Sequence, residues 1–221
     1  MNTAQLSITE LEITGHSGEL LANRFFRQKN PTTDLAVVLP GLRYNCDKPL
    51  LYYTSQALAA RGMDVLQIWV DYTKSDITSL AQTDQTLRMV SDAQTAIQAG
   101  TRARQYNRLI LAGKSIGTLI MAFILSQEYP LQIAATIWLT PLLQIPFVSA
   151  AIQKTTAPAI IAGGTADSTF DPASVSSLEK LPNITMLRVE GGDHSLEIPH
   201  GLHRSLSALS DLVEMILNLA F

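Results

Sequence analysis

The sequence predicts an α/β protein with a mainly parallel, doubly wound sheet and helices on both of its faces. Apolar runs of strand length alternate with longer segments whose apolar residues recur at helical spacing, which is typical of β-α-β units. Several of the short runs, such as residues 35–39, are apolar at every position, as expected of strands that helices cover on both faces. With 47% hydrophobic and 16% charged residues, the 221-residue chain can form one well-packed core.

The strands are predicted from these short apolar runs. An N-terminal hairpin, formed by residues 6–14 and 20–26, should add an antiparallel edge to the sheet. The parallel strands are predicted at residues 35–39, 64–70, 108–112, 134–139, 158–162 and 184–189.

The helices are predicted from their end signals and apolar stripes. Pro49 and Gly62 mark the start and stop of one helix. Ser79 and Gln82 can form a capping box for a second helix, which should end near Gly100. Further helical segments are predicted directly after residue 115 and at residues 146–152 and 172–180. A C-terminal helix is predicted from the stripe Leu202, Leu206, Leu209, Val213 and Ile216.

Composition limits the possible classes of function. The net charge is −3, from 16 basic and 19 acidic residues, and the basic residues do not cluster, so we expect no nucleic-acid partner. The N-terminus lacks the features of a signal peptide, and no apolar run approaches the ~20 residues of a membrane span. We therefore expect a cytoplasmic protein without a membrane partner. The one cysteine, Cys46, can form neither an intrachain disulfide nor a thiolate metal cage.

The segment Gly113-Lys-Ser-Ile-Gly117 lies where a buried strand should lead into a buried helix. A sharp turn tolerates only small residues beside its apex, so the glycines would leave the Ser115 hydroxyl accessible. This pattern is the G-x-S-x-G nucleophile elbow. Gly-Lys-Ser also ends a phosphate-binding loop, but that motif needs glycine at Arg108 and a flexible loop where residues 109–112 resemble a strand. A third interpretation is a serine that is incidental to the fold.

Two further loops carry reactive side chains at predicted strand ends. Ligands of parallel sheets gather at the carboxyl ends of the strands. The strand ending at Ala162 leads to Asp167 and Asp171, and the strand ending at Val189 leads to His194. A serine, a carboxylate and an imidazole would therefore share one edge of the sheet. An imidazole can take the proton of a serine hydroxyl, and a carboxylate can fix the imidazole tautomer.

On these residues the chain resembles the α/β-hydrolase superfamily, specifically its small, cap-free esterase and dienelactone-hydrolase-like branch. The resemblance covers nearly the whole chain and implies a single α/β-hydrolase domain, 1–221, without a cap domain. It also implies that Ser115 is the nucleophile, Asp167 the acid and His194 the base. Asp171 directly precedes a predicted helix and is expected to cap it.

The resemblance further implies an oxyanion hole formed by the backbone N–H groups of Leu42 and Ile116. The chain has Pro-Gly-Leu at residues 40–42, where the lipase-type pattern has His-Gly-Gly-Gly. The candidate residues of a substrate pocket are Tyr44, Leu142, Phe147 and Phe170. Lys114 is uncommon at its position in the superfamily, and we expect its side chain to point to solvent.

These observations predict a serine hydrolase that cleaves a small carboxylic ester or thioester through an acyl-enzyme, with no cofactor and no metal. The same triad serves amidases and peptidases, so the scissile bond stays open. The alternative is a binding or scaffold protein that keeps the fold without turnover. His200 and His203 follow His194 closely, but a metal site would need further ligands nearby. The 18-residue connection 140–157 is too short for a cap domain.

Overall fold

The computed structural model describes residues 6–74 and 76–221, which fold around one eight-stranded sheet. The strands are β1 (Leu6–Thr9), β2 (Asn23–Gln28), β3 (Asp34–Leu39), β4 (Asp64–Ile68), β5 (Arg108–Lys114), β6 (Gln132–Leu139), β7 (Ala159–Gly164) and β8 (Ile184–Val189). The α-helices of the described residues are α1 (Pro49–Ala60), α2 (Gln82–Ala103), α3 (Ile116–Leu125), α4 (Pro146–Lys154), α5 (Pro172–Leu178) and α6 (Leu202–Leu217). None of these helices is both long enough and apolar enough to cross a membrane.

The strand order of the sheet is β1-β2-β4-β3-β5-β6-β7-β8. Strands β3 to β8 are parallel, whereas β2 pairs antiparallel with β4 and with β1. The predicted mainly parallel sheet with an antiparallel N-terminal hairpin is therefore confirmed. The chain moves outward from β3 to β4 and then returns to β5 on the other side of β3. Such a switch point opens a crevice at the carboxyl ends of the two strands, here β3 and β5.

Alternate residues of the central strands face two separate cores, because successive side chains of a strand point to opposite faces. On β5, Leu109 and Leu111 belong to the core beneath α2, α3, α4 and α5. Ile110 and Ala112 belong to the core beneath α1 and α6. Coverage of both faces explains why these strands are apolar at nearly every position.

The N-terminal hairpin is shorter than predicted. β1 ends at Thr9, because the Asn23 side chain takes the place of strand pairing at Leu11. Asn23 Oδ1 accepts a hydrogen bond from the Leu11 N–H at 2.9 Å, and Asn23 Nδ2 donates to the Leu11 carbonyl at 2.8 Å. An isolated antiparallel bridge between Thr14 and Leu20 closes the hairpin.

The ends of α2 also differ from the prediction. The capping box predicted for Ser79 and Gln82 is wrong, because the N-cap residue is Ala81, which has no side-chain cap. Ser79 instead ends a short 3₁₀ helix. The helix continues past Gly100 to Ala103, and the missing side chain of Gly100 lets it lie close to leucines of β3 and β4.

The C-terminal helix buries a different face from the predicted stripe. α6 buries Ala208, Leu212 and Ile216, whereas Leu202 and Leu206 are 71% and 54% exposed. The reason is that the first turns of α6 border an open groove of about 500 Å³, which lies between the start of α1 and the loop after β8. The predicted stripe therefore matches the buried face only toward the C-terminal end of α6.

The loops after β7 and β8 come together at a backbone contact that tolerates no side chain. A Cβ atom on Gly164 would lie 2.0 Å from the Gly192 carbonyl oxygen. We expect Gly164→Ala to lower the free energy of unfolding by more than about 3 kcal/mol, because two backbone segments would have to move apart.

Urea denaturation measures this loss against the matched variant Gly100→Ala. A Cβ on Gly100 would meet leucine side-chain atoms at 3.1 and 3.2 Å, which can shift, and alanine is favoured in a helix. Equal stability of the two variants would contradict the prediction.

Candidate active site

Ser115 occupies a sharp turn between β5 and α3. Its backbone angles, φ 56° and ψ −117°, lie in a region that residues with a side chain rarely adopt. A Cβ on Gly113 would lie 2.5 Å from Met121 Sδ, and one on Gly117 would lie 2.6 Å from the Leu39 carbonyl oxygen. The two glycines are therefore required by the close packing of α3 on β5 and on the end of β3.

The loop after β8 places His194 beside this serine. His194 Nε2 lies 2.8 Å from Ser115 Oγ. The Asp193 side chain organises the loop, since its Oδ1 accepts hydrogen bonds from the N–H groups of Ser195 at 2.7 Å and Glu197 at 2.9 Å. The ring is held at the sheet edge and stays partly exposed.

Asp167 completes the arrangement from the loop after β7. Its Oδ2 lies 2.7 Å from His194 Nδ1, and its Oδ1 accepts hydrogen bonds from the N–H and hydroxyl of Thr169, both at 2.9 Å. Burial by itself raises the pKa of Asp167, but the hydrogen bonds from His194 and Thr169 outweigh it and hold the pKa below its ordinary value. An ionised carboxylate that binds Nδ1–H leaves Nε2 free to accept a proton from Ser115.

The second aspartate of the β7 loop has a different role. Asp171 is the N-cap residue of α5, and its Oδ2 accepts a hydrogen bond from the Ser174 N–H at 2.7 Å. The predicted cap is therefore confirmed. Within residues 6–74 and 76–221, no group of three or more His, Cys, Asp or Glu side chains could hold a metal ion.

The segment that follows β3 lies against the elbow. Gly41 and Tyr44 exchange backbone hydrogen bonds at 3.0 and 3.3 Å, which places Leu42 at the tip of a tight turn. No described group accepts a hydrogen bond from the backbone N–H of Leu42 or of Ile116. Both predicted oxyanion donors are thus unengaged and lie on segments that border Ser115, as an oxyanion hole would require.

Two of the predicted pocket residues lie near the elbow. The Thr118 hydroxyl donates to the Ser115 carbonyl at 2.6 Å and accepts a hydrogen bond from the Leu142 N–H at 3.3 Å, so it holds Leu142 beside the turn. Tyr44 is close as well, because its ring contacts Lys114, the residue before the serine.

The two predicted pocket phenylalanines lie elsewhere, and their assignment is corrected. Phe147 packs on Phe123 with ring centroids 4.7 Å apart, and Phe123 is about 12 Å from Ser115 along α3 at 1.5 Å per residue. Phe170 is only 6% exposed, and its ring lies against Gly163 of β7. Phe147 faces a groove between α3 and α4, and Phe170 belongs to the core.

The expectation for Lys114 was also wrong, because nearly all of its side chain is buried. Lys114 is 2% exposed, and its Nζ lies 4.7 Å from the centroid of the Tyr44 ring. Burial lowers the pKa of Lys114 to about 8, although Asp167 and Asp193 favour its charged form. The alternation along β5 could have revealed this position, since Lys114 shares a strand face with the buried Ala112.

Solved structures of low sequence identity share this fold. A protein of unknown function, ATU1826 from Agrobacterium tumefaciens, aligns at 17% identity over 96% of this chain and 94% of that chain, with a TM-score of 0.71. The esterase Pf2001 from Pyrococcus furiosus aligns at 14% identity over 97% and 92% of the two chains, with a TM-score of 0.70. XC6422 from Xanthomonas campestris, an α/β serine hydrolase without a lid, aligns at 19% identity over 98% and 97%, with a TM-score of 0.65.

Sequence comparison gives the family. No curated protein matches the chain. The family model described as alpha/beta hydrolase domain matches residues 44–217, which include the elbow and the loops after β7 and β8. The chain therefore belongs to the alpha/beta hydrolase domain family.

Proposed function

We propose that the protein is a serine hydrolase that cleaves a small carboxylic ester or thioester through an acyl-enzyme. The observation that carries the proposal is the continuous set of contacts from Asp167 through His194 to Ser115, at 2.7 and 2.8 Å. Family membership supports it. The names of two structural neighbours, an esterase and a lid-free serine hydrolase, agree with it.

In the proposed reaction, Ser115 Oγ attacks the substrate carbonyl carbon while its proton passes to His194 Nε2. The carbonyl oxygen becomes an oxyanion that accepts hydrogen bonds from the N–H groups of Ile116 and Leu42. Collapse of this intermediate breaks the bond to the alcohol or thiol, which leaves with the proton held by His194. A water molecule then attacks the acyl-enzyme while it gives a proton to His194, and the bond to Ser115 Oγ breaks to release the carboxylic acid. Asp167 stabilises the imidazolium throughout.

The alternative, a scaffold protein without turnover, leaves the geometry at Ser115 unexplained. A residue with a side chain at positive φ costs on the order of 1–3 kcal/mol and persists only where the surroundings enforce it. At Ser115 this conformation directs the hydroxyl to the His194 imidazole. A protein that only binds would need neither the strain nor the aligned imidazole, so the strained turn favours catalysis.

We also propose that residues 1–221 are a single domain without a cap. Between β6 and β7, where larger relatives of this fold would insert a lid, the chain has one nine-residue helix, α4. Of the apolar residues in this connection, Leu142 is tied to the elbow through Thr118, while Phe147 faces away from it. The apolar surface that can contact an acyl chain beside Ser115 is therefore short.

The first prediction from the proposed function concerns the nucleophile and the base. A fluorophosphonate probe should label the wild-type protein and fail to label Ser115→Ala. Ser115→Ala and His194→Ala should each lower kcat by roughly 10⁴-fold or more, and the double variant should lose no more than either, because the two residues act as a unit.

The matched control is Ser207→Ala, which removes an exposed hydroxyl on α6 and should be labelled like the wild type. Circular dichroism checks that each variant is folded. Full activity in a folded His194→Ala protein would refute the assignment.

The second prediction separates the two aspartates of the β7 loop. Asp167→Asn should lower kcat by about 10²- to 10⁴-fold, because the imidazole loses the partner that fixes its tautomer. Asp171→Asn should cost about 1 kcal/mol of stability or less, because asparagine is also a good N-cap residue, and should leave kcat nearly unchanged. Steady-state kinetics on the same ester compare them, and the reverse ranking would identify Asp171 as the acid.

The third prediction concerns the length of the acyl chain. Each buried methylene contributes about 0.8 kcal/mol, so kcat/KM rises with chain length only until the chain leaves the apolar wall. On p-nitrophenyl esters we expect a maximum between acetate and butyrate and no increase beyond hexanoate. A steady rise in kcat/KM through decanoate, measured below the micelle concentration, would contradict a short apolar surface beside Ser115. The groove beside α6 would then be the next candidate for the acyl-binding surface.

A further inference from the structure

Lys114 has a buried positive charge directly before the proposed nucleophile. It is 2% exposed, no described residue accepts a hydrogen bond from its ammonium group, and Nζ keeps only a small contact with solvent. Removing most of the hydration of an ammonium without supplying a hydrogen-bond acceptor destabilises a protein. Methionine has a similar length and flexibility without that cost. Packing alone therefore does not explain a lysine at this position.

The Lys114 side chain contacts both ends of the turn that carries Leu42. A Cβ atom on Gly41 would lie 3.2 Å from Lys114 Cδ, so the lysine stem packs against Gly41. The ammonium lies on the Tyr44 ring at 4.7 Å. Gly41 and Tyr44 are the residues whose backbone hydrogen bonds close the turn. The Tyr44 hydroxyl also accepts a hydrogen bond from the Leu50 N–H at 3.0 Å, which connects the turn to α1.

Three groups from three different segments act on the ammonium. The Tyr44 ring contacts it from the turn after β3, and Asp167 in the loop after β7 and Asp193 in the loop after β8 act on it through their negative charge. The two carboxylates favour the charged form of Lys114, and the face of an aromatic ring attracts a cation more strongly where water is excluded. The charge is therefore retained at neutral pH and directed to the ring.

We propose that Lys114 is a positioning residue that clamps the Gly41–Tyr44 turn to the elbow, so that the Leu42 N–H faces the developing oxyanion at Ser115. This inference rests on the serine hydrolase function proposed above. The clamp is needed because Leu42 lies at the tip of the turn, and an oxyanion donor is effective only within a few tenths of an ångström of its position.

The test compares variants of the two clamp residues. Lys114→Met removes the charge and keeps the stem, and Tyr44→Leu removes the ring. Each should lower kcat about 10- to 100-fold with KM changed less than about threefold, because a misplaced donor weakens the transition state more than the bound substrate. The double variant should lose about as much as one single variant, since both break one contact. The matched control Lys154→Met, at an exposed lysine of α4, should match the wild type.

A second readout uses phenylboronic acid, which forms a tetrahedral adduct with an active serine. Its affinity should fall in the variants by the same factor as kcat/KM, because both depend on the oxyanion donors. Lys114→Arg keeps a cation that can stack on the ring, so its kcat should lie closer to the wild type than to Lys114→Met. Tyr44→Phe keeps the ring but loses the bond to Leu50, and should lose less activity than Tyr44→Leu.

Stability should change in the opposite direction from rate. At pH 7, Lys114→Met should unfold at a higher temperature than the wild type, because no charge is buried. The difference should shrink between pH 8 and 10.5. In that range the native lysine, with its pKa lowered to about 8, sheds its proton while the unfolded lysine keeps it, so wild-type stability rises.

Several outcomes would overturn the clamp. One is a kcat of Lys114→Met within twofold of the wild type. Another is a rise in KM alone, which would mean that Lys114 contacts the substrate. If Lys114→Met does not fold, equal kcat values for Tyr44→Leu and Tyr44→Phe would overturn it. A wild-type protein that neither turns over esters nor reacts with fluorophosphonate would instead reject the serine hydrolase function itself.

Discussion

The site depends on backbone segments that approach each other more closely than side chains would allow. The start of α3 passes the end of β3 at Gly117, and the loops after β7 and β8 meet at Gly164. These contacts bring His194 within hydrogen-bonding distance of both Ser115 and Asp167, although the three residues follow three different strands. Because the contacts join backbones, the positions of the three side chains do not depend on rotamers of intervening residues, which favours a preorganised site.

Sequence reasoning succeeded where the decisive information was local or topological. Apolar periodicity located the strands, and the rule that parallel strands end at one edge was enough to bring the Asp167 and His194 loops toward Ser115. It failed where tertiary packing decides which way a side chain points. Phe147 and Phe170 lie in the expected segments, but one packs on α3 and the other fills the space beside a glycine of β7. Residue spacing along the chain cannot show whether a side chain points toward the site or away from it.

Lys114 shows a different limit. Lysines are rarely buried, so a lysine in a turn is naturally expected in solvent. Strand alternation gives the opposite answer, because Lys114 shares a face with Ile110 and Ala112. The two rules conflict, and such conflicts are expected where function, rather than stability, selects the residue. A buried charge that an apolar residue could replace is therefore informative about the site even before its partners are known.

Strand β5 lies between two cores, and each core holds a different part of the site in place. The core beneath α2, α3, α4 and α5 packs Met121 against Gly113 and so holds the turn that presents Ser115. The core beneath α1 and α6 packs against Tyr44, and through the Leu50 N–H it holds the turn after β3. On the proposed mechanism, one core therefore sets the line of nucleophilic attack and the other the stabilisation of the charge that develops.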